Sequence, residues 1–186
     1  MGRPKKYDNF GFKNYFKLIS SFFLHPKSYP SLIIRYPKVE NGLFFLLINL
    51  SLGLVVKTLG DIFFYKSALV VFLTVTEMVF WLPVIFILFL IIGTLLHLIA
   101  KALKGRANLL ESIKTLAFCS PVLIFFWIPF IRIFLFAFLV YCLILSFQRI
   151  HQYSLAKAIF NILAPFLLFG LLITMLGISN PVFFAA

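Results

Sequence analysis

Acidic residues are nearly missing from this chain: five Asp and Glu stand against 17 Lys and Arg. No pair of carboxylates is placed to share acid–base work. The three histidines, His25, His97 and His151, are isolated, with no second His or Cys at ligand spacing, so no metal site is expected. His97 and His151 both fall near one face and can touch, but surface imidazoles are the expectation. Cysteine is limited to Cys119 and Cys142, each inside an apolar segment. A disulfide between two arms of a hairpin is geometrically conceivable there; two buried thiols acting as small apolar side chains are expected. Gly105 has no phosphate-loop context, and no Ser sits in a nucleophile elbow. The chain is therefore expected to be no enzyme and to hold no cofactor. The basic start Arg3, Lys5, Lys6 is not followed by the compact apolar core of a cleavable signal. Lys6 stands where a myristoylation pattern needs Ser or Thr. No internal repeat suggests an inverted-repeat transporter.

Apolar residues are what the chain has in excess. They make up 63% of its 186 positions, and 26 are Phe. A soluble domain is usually about 45–50% apolar. An integral membrane protein follows. The net charge of +12 sits mostly at the ends of apolar segments. That placement sets orientation in a bilayer and argues against a nucleic-acid partner, which needs a soluble basic face.

Residues 1–41 form a basic N-terminal region. Within residues 10–24, Phe12, Phe16, Ile19 and Phe23 recur at helical spacing, while Lys13, Asn14, Lys17, Ser20 and Ser21 fall largely on the other side. This predicts an amphipathic helix lying in the membrane interface, lysines toward lipid phosphates. The alternative is a helix packed on the chain's own bundle. Pro26, Pro30 and Pro37 then predict a broken connector, with one helical turn around residues 32–35.

Residues 42–178 read as a five-span, all-α membrane bundle, with spans at about 42–60, 79–100, 109–128, 133–147 and 158–178, and residues 179–186 as a short tail. Asn49, Gly53 and Lys57 form one small or polar stripe on the first span, of the kind that packs against another helix. Residues 67–100 are too long for one straight crossing, since 34 residues rise about 51 Å against a hydrocarbon core of about 30 Å. Glu77 and Pro83 predict a break, with an interfacial segment over 67–77. Lys57, Asp61, Glu77, Glu111 and Lys114 are expected near interfaces. In the third span, Pro121 predicts a bend near residues 117–121. The small residues Ala117, Cys119 and Ser120 should face another span, and a Ser hydroxyl can satisfy a freed carbonyl. Such a bend would create an internal cleft, or merely fit a short hairpin to the bilayer.

Orientation follows from the basic residues. Fourteen of the 17 fall on one side: Arg3, Lys5, Lys6, Lys13, Lys17, Lys27, Arg35, Lys38, Lys101, Lys104, Arg106, Lys114, Arg149 and Lys157. Lys57, Lys66 and Arg132 fall on the other. The positive-inside rule puts the N-terminus in the cytoplasm and the C-terminus outside. Were residues 115–147 a re-entrant hairpin, the C-terminus would still be outside.

The same residues carry a family resemblance. A span ends in His97, Leu98, Ile99 and Ala100, and a short loop with Gly105 follows. Then come residues 110–118, Ser120 and Pro121, Ile128 and Pro129, a further span, and a basic segment with Ser154 and Ala158. Phe22, Phe23, Leu24, His25 and Pro26 form a similar entry segment. Over about residues 20–178 the chain resembles the Yip domain family of five-span membrane proteins. The resemblance marks Gly105, Ser120, Pro121 and Pro129 as its structural motif. Eukaryotic members reside in endoplasmic reticulum and Golgi membranes, act in vesicle traffic and bind prenylated Rab-type GTPases. The short basic N-terminal region replaces the long cytosolic extension of many of them. It implies a prokaryotic-type member in the cell membrane rather than a GTPase binder.

The expected function is a non-enzymatic membrane protein organising partner proteins or lipids at the cytoplasmic face. The candidate binding residues are Lys13, Lys17, Lys101, Lys104, Arg106 and Arg149, with anionic lipids, a membrane-protein partner or a second copy as partners. The rival is a small transporter or lipid-moving protein using the hairpin of the third and fourth spans.

Overall fold

A backbone in hydrocarbon must satisfy its own hydrogen bonds, so long apolar runs can cross a bilayer only as helices or closed barrels. The computed structural model, which describes residues 11–65, 68–128 and 130–175, is all-α, with no strand among these residues. The elements are α1 (Phe12–Leu24), α2 (Tyr29–Ile33), α3 (Val39–Tyr65), α4 (Ala68–Ala102), α5 (Leu109–Phe118), a 3₁₀ helix (Ser120–Ile124), α6 (Arg132–His151) and α7 (Leu155–Met175). Three stretches, Val39–Phe63, Val79–Ala102 and Arg132–His151, are long and apolar enough to cross a membrane. A shorter apolar stretch, Leu155–Leu168, lies in α7. The chain is a membrane-embedded helical protein. Its tail, 179–186, and Pro129 lie outside the described residues.

Two segments differ from the sequence expectation. The interfacial segment at 67–77 is not separate: α4 is one helix of 35 residues with Pro83 inside it. A proline removes only its own donor, and within a membrane helix the freed group can be re-satisfied locally without a break. The segment 109–128 is not one helix. α5 stops at Phe118, Cys119 leaves the helix, and the 3₁₀ turn starts at Ser120. Pro121 is the cause, because it lacks the N–H and disfavours helical geometry at the residue before it.

The broken segment nonetheless tracks α3 closely. A β-carbon on Gly42 would meet the Lys114 carbonyl at 3.1 Å, one on Gly53 the Leu123 carbonyl at 2.6 Å, and one on Gly60 the Trp127 ring at 2.9 Å. Between the first and second contacts Asn49 Nδ2 donates to Ser120 Oγ at 2.9 Å. Gly42 to Gly60 spans about 27 Å of helix. Of the stripe Asn49, Gly53 and Lys57 seen in the sequence, the first two thus seat residues 114–127, while Lys57 pairs with Asp61 at 2.9 Å. Ala117, Cys119 and Ser120 are buried. The carbonyl freed by the break is satisfied from elsewhere than expected. Tyr29 of α2 donates its hydroxyl to the Phe118 carbonyl, while Ser120 receives Asn49. Burial pushes the Tyr29 phenol well above its ordinary value, which keeps it a neutral donor.

α1 packs on the bundle. Tyr15, Leu18 and Phe22 are buried, and Phe22 meets Phe138 of α6 edge-on at 5.3 Å. Tyr15 donates to Asn49 Oδ1 at 2.8 Å. Phe12, Phe16 and Leu24 stay exposed. The core joins these residues to Phe45, Phe118, Val122, Leu143 and Phe147. Cys119 and Cys142 are buried free thiols within it.

Candidate functional site at the basic end of the bundle

The ends of α4 and α6 and the starts of α5 and α7 meet at one end of the molecule. α4 terminates in a Schellman turn: Lys104 is left-handed at φ 66°, and the N–H groups of Lys104 and Gly105 reach the carbonyls of Lys101 and Ala100 at 2.9 and 2.8 Å. Asn108 and Glu111 close α5 with a reciprocal capping box at 2.8 and 3.0 Å. Three bonds tie this loop to the end of α6, the loop after it and the start of α7. The Arg106 N–H donates to the His151 carbonyl at 3.2 Å, Arg106 Nη1 to Gln152 Oε1 at 3.0 Å, and Lys157 Nζ to the Leu103 carbonyl at 3.2 Å.

Beneath the loops lies a polar cluster that sequence reasoning placed at the surface. His97 and His151 are both buried, and both contact Ser112 Oγ, at 3.0 and 3.1 Å. The His151 ring stacks on Tyr153 at 5.4 Å. Tyr153 in turn accepts from Asn161 Nδ2 at 2.7 Å, and burial pushes its phenol up to about 12. Nothing in the spacing of 97, 112 and 151 announces this meeting; it follows from antiparallel helices ending at one level. Lys114, expected near an interface, is buried too, with Nζ donating to the Tyr36 carbonyl at 2.9 Å.

Of the candidate binding residues, Lys101, Lys104, Arg106 and Arg149 are exposed at this end. Arg149 alone among them lines an open cleft of about 580 Å³ between α2 and the end of α6, with Lys27, Ser31, Ile34, Leu145 and Gln152. A neighbouring opening of about 330 Å³ shares Ile34, Arg149 and Gln152 and reaches Glu111 and Lys114. Lys27 was not singled out from sequence, because it sits in the Pro-rich connector, whose path only the fold reveals. Lys17 is exposed on α1 and lines neither opening; the Lys13 side chain lies outside the described residues. Of the structural motif, Gly105 packs against His151, and Ser120 and Pro121 lie at the break facing α3. Beside that break an apolar groove of about 630 Å³ runs between α1 and α3, bordered by Phe12, Phe16, Ile48, Leu52, Ile124 and Phe125.

No family model matches the chain, and no curated protein or solved structure matches it.

Proposed function

We propose that this is a five-crossing, non-enzymatic protein of the cell membrane, of the Yip domain type, that gathers anionic lipids or a membrane-protein partner, a second copy included, on its cytoplasmic end. The observation that carries this reading is the convergence of Lys101, Lys104, Arg106 and Arg149 on the one end where two loops are bonded together. Basic side chains near an anionic leaflet contribute about 1 kcal/mol each. The roughly 27 Å over which residues 114–127 follow α3 supports a third crossing by a broken helix. The division of Lys and Arg supports a cytoplasmic N-terminus and an external C-terminus. On α1, Lys17 is exposed while Tyr15 and Leu18 are buried, which suits an interfacial position with Lys17 toward lipid phosphate.

The test is reconstitution of the full chain in neutral membranes and in membranes containing phosphatidylglycerol. Enrichment of the anionic lipid around wild type, lost when Lys101, Lys104 and Arg106 become Gln, supports the reading. No enrichment, together with no stoichiometric protein co-purifying from native membranes, overturns it. The rival is a small transporter or lipid-moving protein using the hairpin of the third and fourth spans; labelled lipid exchanging between leaflets of liposomes holding the chain alone would establish that instead.

A further inference from the structure

We propose that the cleft between α2 and α6 is a binding site for the phosphate of one anionic phospholipid, held between Lys27 and Arg149. The proposal rests on the lipid reading above and narrows it to one site.

The two cations come from elements far apart in sequence and line the same cleft, and no acidic side chain lines it with them. The ion pair found among the described residues, Lys57 with Asp61, lies elsewhere on α3. An Arg guanidinium offers a planar fork that matches phosphate, and a Lys ammonium adds a point charge. Ser31 and Gln152 supply neutral hydrogen-bonding groups beside them. The volume, about 580 Å³, is that of a small-molecule site.

The walls are built in advance. Tyr29 and Pro30 of α2 are buried, and Tyr29 is bonded to Phe118. On α6, Phe147 and His151 flank Arg149 and are buried at 0% exposure. The cleft is also graded in polarity. Leu145 lies one turn further into α6 than Arg149, about 6 Å deeper along the helix, and Ile34 faces it from the other wall. An occupant with a charged head and an apolar body therefore fits with its head at the basic end and its glycerol and acyl chains toward the bilayer. Free phosphate would satisfy the cations but not the apolar part.

The full chain in a neutral detergent, offered phosphatidylglycerol or phosphatidylcholine, is read by native mass spectrometry for retained lipid. Wild type should retain one phosphatidylglycerol in preference to phosphatidylcholine, and added inorganic phosphate should not displace it. The Lys27→Gln, Arg149→Gln double variant should lose about tenfold or more in retention, as expected for lost charge-assisted bonds. Ser31→Trp, at an exposed position, keeps both cations but fills the cleft, and should lose the lipid as well. Retention unchanged in either variant overturns the site. Displacement by inorganic phosphate overturns the lipid as its occupant. Loss in the Lys101, Lys104, Arg106 variant alone leaves the basic face as a lipid binder and removes this cleft; loss in none of the variants removes both.

Discussion

The ring of His151 occupies the space a β-carbon on residue 105 would need: an ideal Cβ there lies 2.5 Å from Nδ1 and 2.9 Å from the Ala100 carbonyl. The glycine is required for close approach, while the left-handed turn residue beside it is Lys104. Gly105→Ala should destabilise the chain by about 1–3 kcal/mol, the usual range for overpacking. Removing the ring first should relieve much of this. In a double-mutant cycle by thermal unfolding in detergent, Gly105→Ala should cost less in a His151→Ala background. Strictly additive effects would mean that the two residues do not compete for space.

Tyr29→Phe leaves the Phe118 carbonyl without its donor. A buried unsatisfied group costs about 1–3 kcal/mol, so the midpoint of unfolding should fall. There is a pH consequence. The folded-state pKa of this phenol is raised by burial above its ordinary value of 10.0. The neutral form is the one the fold favours, so the contribution is complete below pH 10 and is lost as pH rises toward the folded value. Wild type should lose stability more steeply above pH 10 than Tyr29→Phe; identical alkaline slopes would refute this role.

Gly53→Ala places a methyl 2.6 Å from the Leu123 backbone carbonyl, which has no flexible end to move aside. Gly11→Ala meets nothing within 4 Å. The first substitution should lower thermal stability clearly and the second barely. Equal effects would mean that residues 114–127 do not sit against α3 as described.

Topology is checked with reporters. One fused after Ala186 should read extracytoplasmic, and one inserted within residues 104–108 should read cytoplasmic. Finding both on the same side would sink the five-crossing arrangement.

Replacing Lys13 and Lys17 by Glu in the full chain should weaken its preference for anionic over neutral vesicles, at about 1 kcal/mol per lysine lost. Thermal stability should change little, since the face carrying Tyr15, Leu18 and Phe22 makes the contacts with the bundle. A preference left intact would mean that α1 is held by packing alone.

The helical class, the membrane setting and the α3 stripe were legible because they rest on composition and periodicity, which are local. A departure from straight helix near Pro121 was legible for the same reason, since proline acts on its own turn, although the sequence suggested a bend in one span and α5 instead ends at Phe118. What repaired the break was not: Tyr29 lies 89 residues away from Phe118, and no local pattern pairs them. The continuity of α4 past Pro83 was misjudged because a length argument assumes that a helix ends with the hydrocarbon. The basic end was legible as charge. The histidines beneath it were not, because burial depends on how helix ends align. Lys27 was hidden by its connector, which the fold brings to the same cleft as Arg149.

A hydroxyl has one hydrogen to give, and Ser112 Oγ lies within hydrogen-bonding reach of three groups, the Asn108 carbonyl at 3.1 Å and the two imidazoles. At least one imidazole must then approach that oxygen with an N–H, and where the hydroxyl serves the Asn108 carbonyl both do, His97 through Nδ1 and His151 through Nε2. In that arrangement one serine imposes opposite tautomers on two rings. The other nitrogen of His151, Nδ1, is buried without a hydrogen-bond partner, beside the space a side chain at residue 105 would fill.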